Sequence, residues 1–216
     1  NLETWASRRL NLLSNQDLAR QKVPSISTAA VSADGSTAIV GTRDGKVRWL
    51  SVENRTLQLK DSAFDLEQGS ISAATISPKG EEAVLAVREG GKSGLYAWKA
   101  TEPQPQRVSF TGSEEFERIA YSPDGLRIAA GISKGLSVWN AREGWYQSAS
   151  DQAVLEVRIP SIRGELTDLQ WIDNSTLLAL ARFDGKPILH RIDLQQAKTL
   201  SDPSKLVTQL SLPSPL

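Results

Sequence analysis

The chain has 216 residues, of which 39% are apolar and 23% charged; 25 basic side chains balance 25 acidic ones, and there is no cysteine. That length fits one or two globular domains, and this composition excludes a disordered segment. A zero net charge argues against a nucleic-acid-binding domain, and the lack of cysteine removes disulfides, thiolate nucleophiles and Cys-ligated zinc while leaving the compartment open, with the cytoplasm preferred.

The chain begins at Asn1 and contains no methionine, which reads as a product of processing or a piece of something longer. No apolar run approaches the roughly 18 residues of a membrane span. In residues 1–22, Leu2, Trp5, Ala6, Leu10 and Leu13 recur near a 3.6-residue period, so a short helical lead or connector is expected there.

From residue 23 to 212 the chain repeats. Four segments align, beginning at Ile26, Ile71, Phe116 and Leu166, with turns starting at Ser32, Ser77, Ser122 and Ile172, spacings of 45, 45 and 50 residues. Each unit opens with a short alternating strand and a turn built on Asp, Pro, Asn or Gly. A second strand of small or branched apolar residues follows, at 37–41, 83–87, 128–131 and 177–181. A third strand comes after turns at Arg43-Asp44-Gly45, Glu89-Gly90-Gly91, Ser133-Lys134-Gly135 and Phe183-Asp184-Gly185, and it ends on Trp49, Trp98 or Trp139 in the first three units. A fourth, more polar strand is expected at 57–60, 107–110, 154–159 and 205–212. Four antiparallel strands at a period near 45 predict an all-β propeller. The three tryptophans are expected to be buried at equivalent positions of successive blades, each costing about 3–5 kcal/mol on truncation to Ala. Residues 213–216, with two prolines in the last four positions, form a tail.

Ser-Ala-Asp-Gly at 32–35, Ser-Pro-Lys-Gly at 77–80, Ser-Pro-Asp-Gly at 122–125 and the strand-ending tryptophans make the chain resemble the WD40 repeat family over residues 23–212. The resemblance implies a β-propeller that acts as a rigid, noncatalytic platform for protein partners. The repeats are degenerate: no His precedes any first strand, Gly91 and Lys134 replace the turn Asp of units two and three, and unit four keeps Asp184 without the Trp. Four blades are the tightest case of a ring. An incomplete ring is therefore expected, completed by further sequence in preference to self-association with a second copy.

Catalytic signatures are weak throughout. His190 is the sole histidine and has no evident nucleophile or orienting partner. No metal-ligand spacing occurs, so no metal or cofactor is expected. The carboxylates Glu81 with Glu82, and Glu114 with Glu115 and Glu117, fall in a hairpin turn and ahead of a first strand, where charges face water. Gly90-Gly91-Lys92-Ser93 resembles the end of a phosphate-binding loop but has Ala86 where the first glycine belongs. Surface recognition remains. Arg43, Arg88, Lys134 and Arg182 lie between second and third strands, which a propeller gathers on one rim as a site for an acidic protein segment, and Trp145 with Tyr146 supplies aromatic anchors. The alternative is an enzyme or small-ligand binder at the central channel mouth, with carboxylates or His190 facing a cavity.

Overall fold

The computed structural model describes residues 26–53, 56–108, 116–132, 135–141, 155–159, 162–195, 197 and 202–210. The helical lead expected over 1–22 and the tail at 213–216 lie outside the described residues. Four sheets of four antiparallel strands follow one another along the chain. The first holds β1 (Ile26–Val31), β2 (Thr37–Thr42), β3 (Lys46–Glu53) and β4 (Thr56–Asp65). The second holds β5 (Ser70–Ile76), β6 (Glu82–Glu89), β7 (Lys92–Lys99) and β8 (Gln106–Val108). The third comprises β9 (Phe116–Tyr121), β10 (Arg127–Ile132), β11 (Gly135–Asn140) and β12 (Leu155–Ile159). The fourth comprises β13 (Glu165–Trp171), β14 (Thr176–Phe183), β15 (Lys186–Asp193) and β16 (Val207–Leu210). One expected boundary moves: Lys205 belongs to a 3-10 turn, Pro203–Leu206, whose N-cap Asp202 accepts from the Ser204 amide, so the last strand starts only at Val207.

The sheets are propeller blades. Their first strands, β1, β5, β9 and β13, pack in series and line one central cavity, while the later strands of each blade lie progressively farther out. Each seam between blades is a separate apolar cluster: Ile39, Val47 and Trp49 against Ile71, Leu85 and Trp98; Val84, Leu95 and Ala97 against Phe116, Ile128 and Trp139; Leu136, Val138 and Ile159 against Leu166, Leu177 and Ile192. The second strands of blades two and three are buried on both faces because each lies between two neighbouring blades, which explains their unbroken apolar runs. Among the described residues no comparable packing joins β13 back to β1, so the four blades form an open arc.

The tryptophans are buried as expected, with Trp49 and Trp98 at 0% exposure and Trp139 at 4%. Their equivalence is corrected. Trp98 pairs with Ala83 and Trp139 with Ile128, each the second residue of its strand, but Trp49 pairs with Ile39, the third residue of β2. Both Trp49 and Trp139 follow a small residue, Gly41 and Gly131, by eight positions, yet Gly41 pairs with Val47 whereas Gly131 pairs with Leu136. The first hairpin is one residue longer, and a one-residue slip turns a side chain to the opposite face. Trp49 therefore points forward into the same seam that Trp98 enters from the other side, and the two rings meet edge to face at 5.9 Å.

Those rings differ in one respect. Trp98 Nε1 donates to the Glu102 carbonyl at 3.0 Å, whereas the buried Trp49 Nε1 finds no partner among the described residues. A buried donor without an acceptor costs stability that removal of the donor returns. Trp98→Phe is accordingly expected to destabilise the chain by about 1 kcal/mol more than Trp49→Phe, measured by urea denaturation.

Candidate interaction surface

Because strands alternate in direction, the β2–β3, β6–β7 and β14–β15 turns share one rim. Arg43, Arg88 and Arg182 are exposed at or beside those three turns, which places them on one side of the arc. Lys134, Trp145 and Tyr146 lie outside the described residues. Two of the turns that carry the arginines are tight. Gly90 and Gly91 both take positive φ, as do Asp184 and Gly185, so two blades turn through two-residue hairpins whose twist suits the flanking strands. This also settles the glycine pair of the second unit as a hairpin turn.

The rim is not purely basic. Asp44 follows Arg43, Glu89 follows Arg88, and Asp184 stands two residues after Arg182. The Thr42 hydroxyl, 2.5 Å from Asp44 Oδ1, is the main cause that holds this carboxyl below its ordinary range, with Lys46 adding to it. Arg48 bonds Asp65 through both guanidinium nitrogens and lowers that carboxyl in the same way. The surface therefore presents fixed, ionised groups of both signs. A shallow cavity of about 310 Å³ opens beside it, lined by Glu89, Lys92, Tyr96 and Arg107 among others, and burial followed by the Glu89 charge pushes the Tyr96 hydroxyl pKa up.

A second cavity, about 360 Å³, lies at the centre of the arc and is walled by all four first strands. Its polar groups include Arg118, Asp168 and Gln170. Arg118 donates Nε to the Thr167 carbonyl at 2.7 Å and Nη1 to the Glu117 carbonyl at 2.6 Å, so it clamps blade three to blade four. Asp168 accepts from the Leu169 amide at 2.8 Å. His190 is placed elsewhere: it is 3% exposed, its Nε2 lies 3.1 Å from the Arg163 carbonyl, and its Nδ1 has no partner among the described residues. Among the described residues no three His, Asp or Glu side chains cluster as metal ligands would. Glu82, weighed above as half of a carboxylate pair, accepts the Tyr121 hydroxyl of the next blade.

Sequence reasoning missed the bulges that join blades at the centre. Ser27, Ser72, Glu117 and Thr167 are each the extra residue in a first strand, skipped by the register of its partner. The bulge swings a side chain sideways. Ser27 Oγ then reaches both the Gly41 carbonyl of its own blade and, at 2.5 Å, the Ile71 carbonyl of the next. Ser72 does the same with Ala86 and Phe116. Where Glu117 replaces the serine, Arg118 takes over the bridging. The only signal in the sequence was the recurrence of these positions at 45, 45 and 50 residues.

On the opposite rim, the turn aspartates are structural. Asp34 accepts from the Ser32 hydroxyl at 2.6 Å and from the Ser36 amide and hydroxyl, and Asp124 and Asp173 repeat the arrangement in blades three and four. The Ser32 bond, more than any other, lowers the Asp34 pKa from 3.8 to about 2. A depressed carboxylate stabilises the folded turn above its unfolded pKa, and that contribution is lost as pH falls through the folded value. The Asp34 carboxyl carbon resonance is expected to titrate with a midpoint near 2, and Ser32→Ala to move that midpoint up toward 3.8.

No family model and no curated protein matches the chain. Among solved structures it is similar to the β-propeller domain of Myceliophteria thermophila Cps50 (Swd1), with a TM-score of 0.59 and 17% identity. The match covers 83% of this chain and 54% of that one, so the chain spans about half the length of this neighbour. At that identity the likeness shows the propeller fold.

Proposed function

We propose that the chain is a noncatalytic protein-interaction platform, the sensing or scaffolding module of a larger multidomain protein, which binds an acidic protein segment along the rim that carries Arg43, Arg88 and Arg182. The observation that carries this reading is the display of three exposed arginines on one side of a rigid stack of blades. Lys134, Trp145 and Tyr146 are proposed contacts on the strength of the sequence alone. Arginine suits the task because its planar fork bonds carboxylates in pairs. The interspersed Asp44 and Glu89 would select among acidic partners by repelling those whose charges fall out of step. WD40-like propellers act mainly as rigid platforms for protein partners, which supports the proposal by analogy of fold.

A second reading, small-ligand binding at the channel mouth, is favoured by the central cavity itself. The two readings separate on where mutations act. Combined Arg43→Glu, Arg88→Glu and Arg182→Glu is expected to weaken binding of a fluorescein-labelled glutamate-rich peptide by about tenfold or more in fluorescence anisotropy, with affinity falling as salt rises. Peptide binding that ignores the triple change, or no binding by the unaltered chain at low salt, would sink the rim proposal.

A further inference from the structure

The three seams share one device. The residue just before each central bulge, Ile71, Phe116 or Leu166, presses on a small residue in the second strand of the preceding blade, Gly41, Ala86 or Gly131. The fit leaves no room. A Cβ on Gly41 would stand 2.7 Å from Ile71 Cγ2, and one on Gly131 would stand 2.1 Å from Leu166 Cδ2. In the middle seam Ala86 and Phe116 are buried together, and their carbonyls share the Ser72 hydroxyl just as those of Gly41 and Ile71 share that of Ser27.

Register identifies the fourth member of each set. Gly41, Ala86 and Gly131 pair with Thr28, Ala73 and Arg118, the residues after the bulges, and in blade four the residue so paired with Asp168 is Leu180. Next to it, the forward-facing third-strand position that is Trp49, Ala97 and Val138 in the other blades becomes Arg191, exposed and ion-paired with Asp193 at 3.6 Å. At the other end of the arc, Ile26 occupies the pressing position of blade one and is 38% exposed.

We infer that Leu180, with Arg191 beside it, is a specificity-determining residue for assembly: it bars the outer face of blade four from receiving another blade of this kind, and so prevents copies of the chain from joining head to tail through Ile26. Three seams carry Gly or Ala at this position, two of them with no room for a Cβ, and by register a Leu180 side chain stands where an incoming Ile, Phe or Leu would press. Arg191 adds a charged group, ion-paired with Asp193, that such a seam would have to strip of water.

Sedimentation velocity of the full chain and its variants tests this. The unaltered chain should show no association that Ile26→Asp abolishes. Leu180→Ala combined with Arg191→Val, which reproduces the small and apolar pair of the internal seams, should raise self-association about tenfold or more, and adding Ile26→Asp should remove the gain. In the converse experiment, Gly131→Leu places the same block in a working seam, and amide exchange of blade four should rise while blades one and two keep their protection. Head-to-tail association of the unaltered chain that depends on Ile26 would overturn the inference. So would a folded double variant that does not associate, or a Gly131→Leu chain with unchanged exchange in blade four.

Discussion

Close approach of the first strands governs this molecule. A blade can only radiate from a common axis if its inner edge lies nearly in contact with its neighbours, and the space available there is less than one methyl group wide at Gly41 and Gly131. Small second-strand residues follow from that constraint. So do the bulges, because a strand held so close can satisfy a neighbour's carbonyl only by turning a side chain out of its own ladder. The broad apolar faces farther out, with their tryptophans and leucines, fill the wedge that opens as the blades diverge.

Much of this was legible in the amino-acid sequence. The recurrence of Ser32, Ser77 and Ser122 placed the first turns of blades one to three, and the apolar runs placed the second strands, most plainly in blades two and three, where burial on both faces leaves no polar alternation to read. The misreading of Trp49 shows where such reading stops. Each standing at the end of a third strand, Trp49 and Trp139 look alike, yet register depends on how many residues the preceding hairpin consumes, and the conformation of Arg43-Asp44-Gly45 is not encoded in spacing alone. The result is a seam with two indoles in place of one.

The candidate surface was legible in part for a related reason. Turns between second and third strands necessarily share a rim, so topology alone gathered Arg43, Arg88 and Arg182 once the strands were known. Topology does not report the local partners that fix the ionisation of Asp44 and Asp65, nor that Arg118 turns inward to hold two backbones together instead of facing a ligand. His190 illustrates the same limit, since a strand histidine between an apolar residue and an arginine reads the same whether it faces a cavity or, as here, a loop carbonyl.

At the third seam Glu117 stands in place of the serine and Arg118 takes over its bridge, so the junctions of the arc are not built alike. At the first two seams a hydroxyl carried on a short, stiff side chain spans the gap, so any widening breaks the bridge at once. At the third the bridge is a guanidinium on a long side chain with several rotatable bonds, which can follow a receding carbonyl through a change of rotamer. The third seam adds bonds of its own, from the Trp171 indole to the Ala120 carbonyl and from the Asp124 amide and the Arg127 guanidinium to Asn174, so blade four is tied to blade three both at the axis and at the rim of the turn aspartates. The three arginines of the rim, Arg43, Arg88 and Arg182, are thus carried on blades whose every junction is pinned by side-chain bonds.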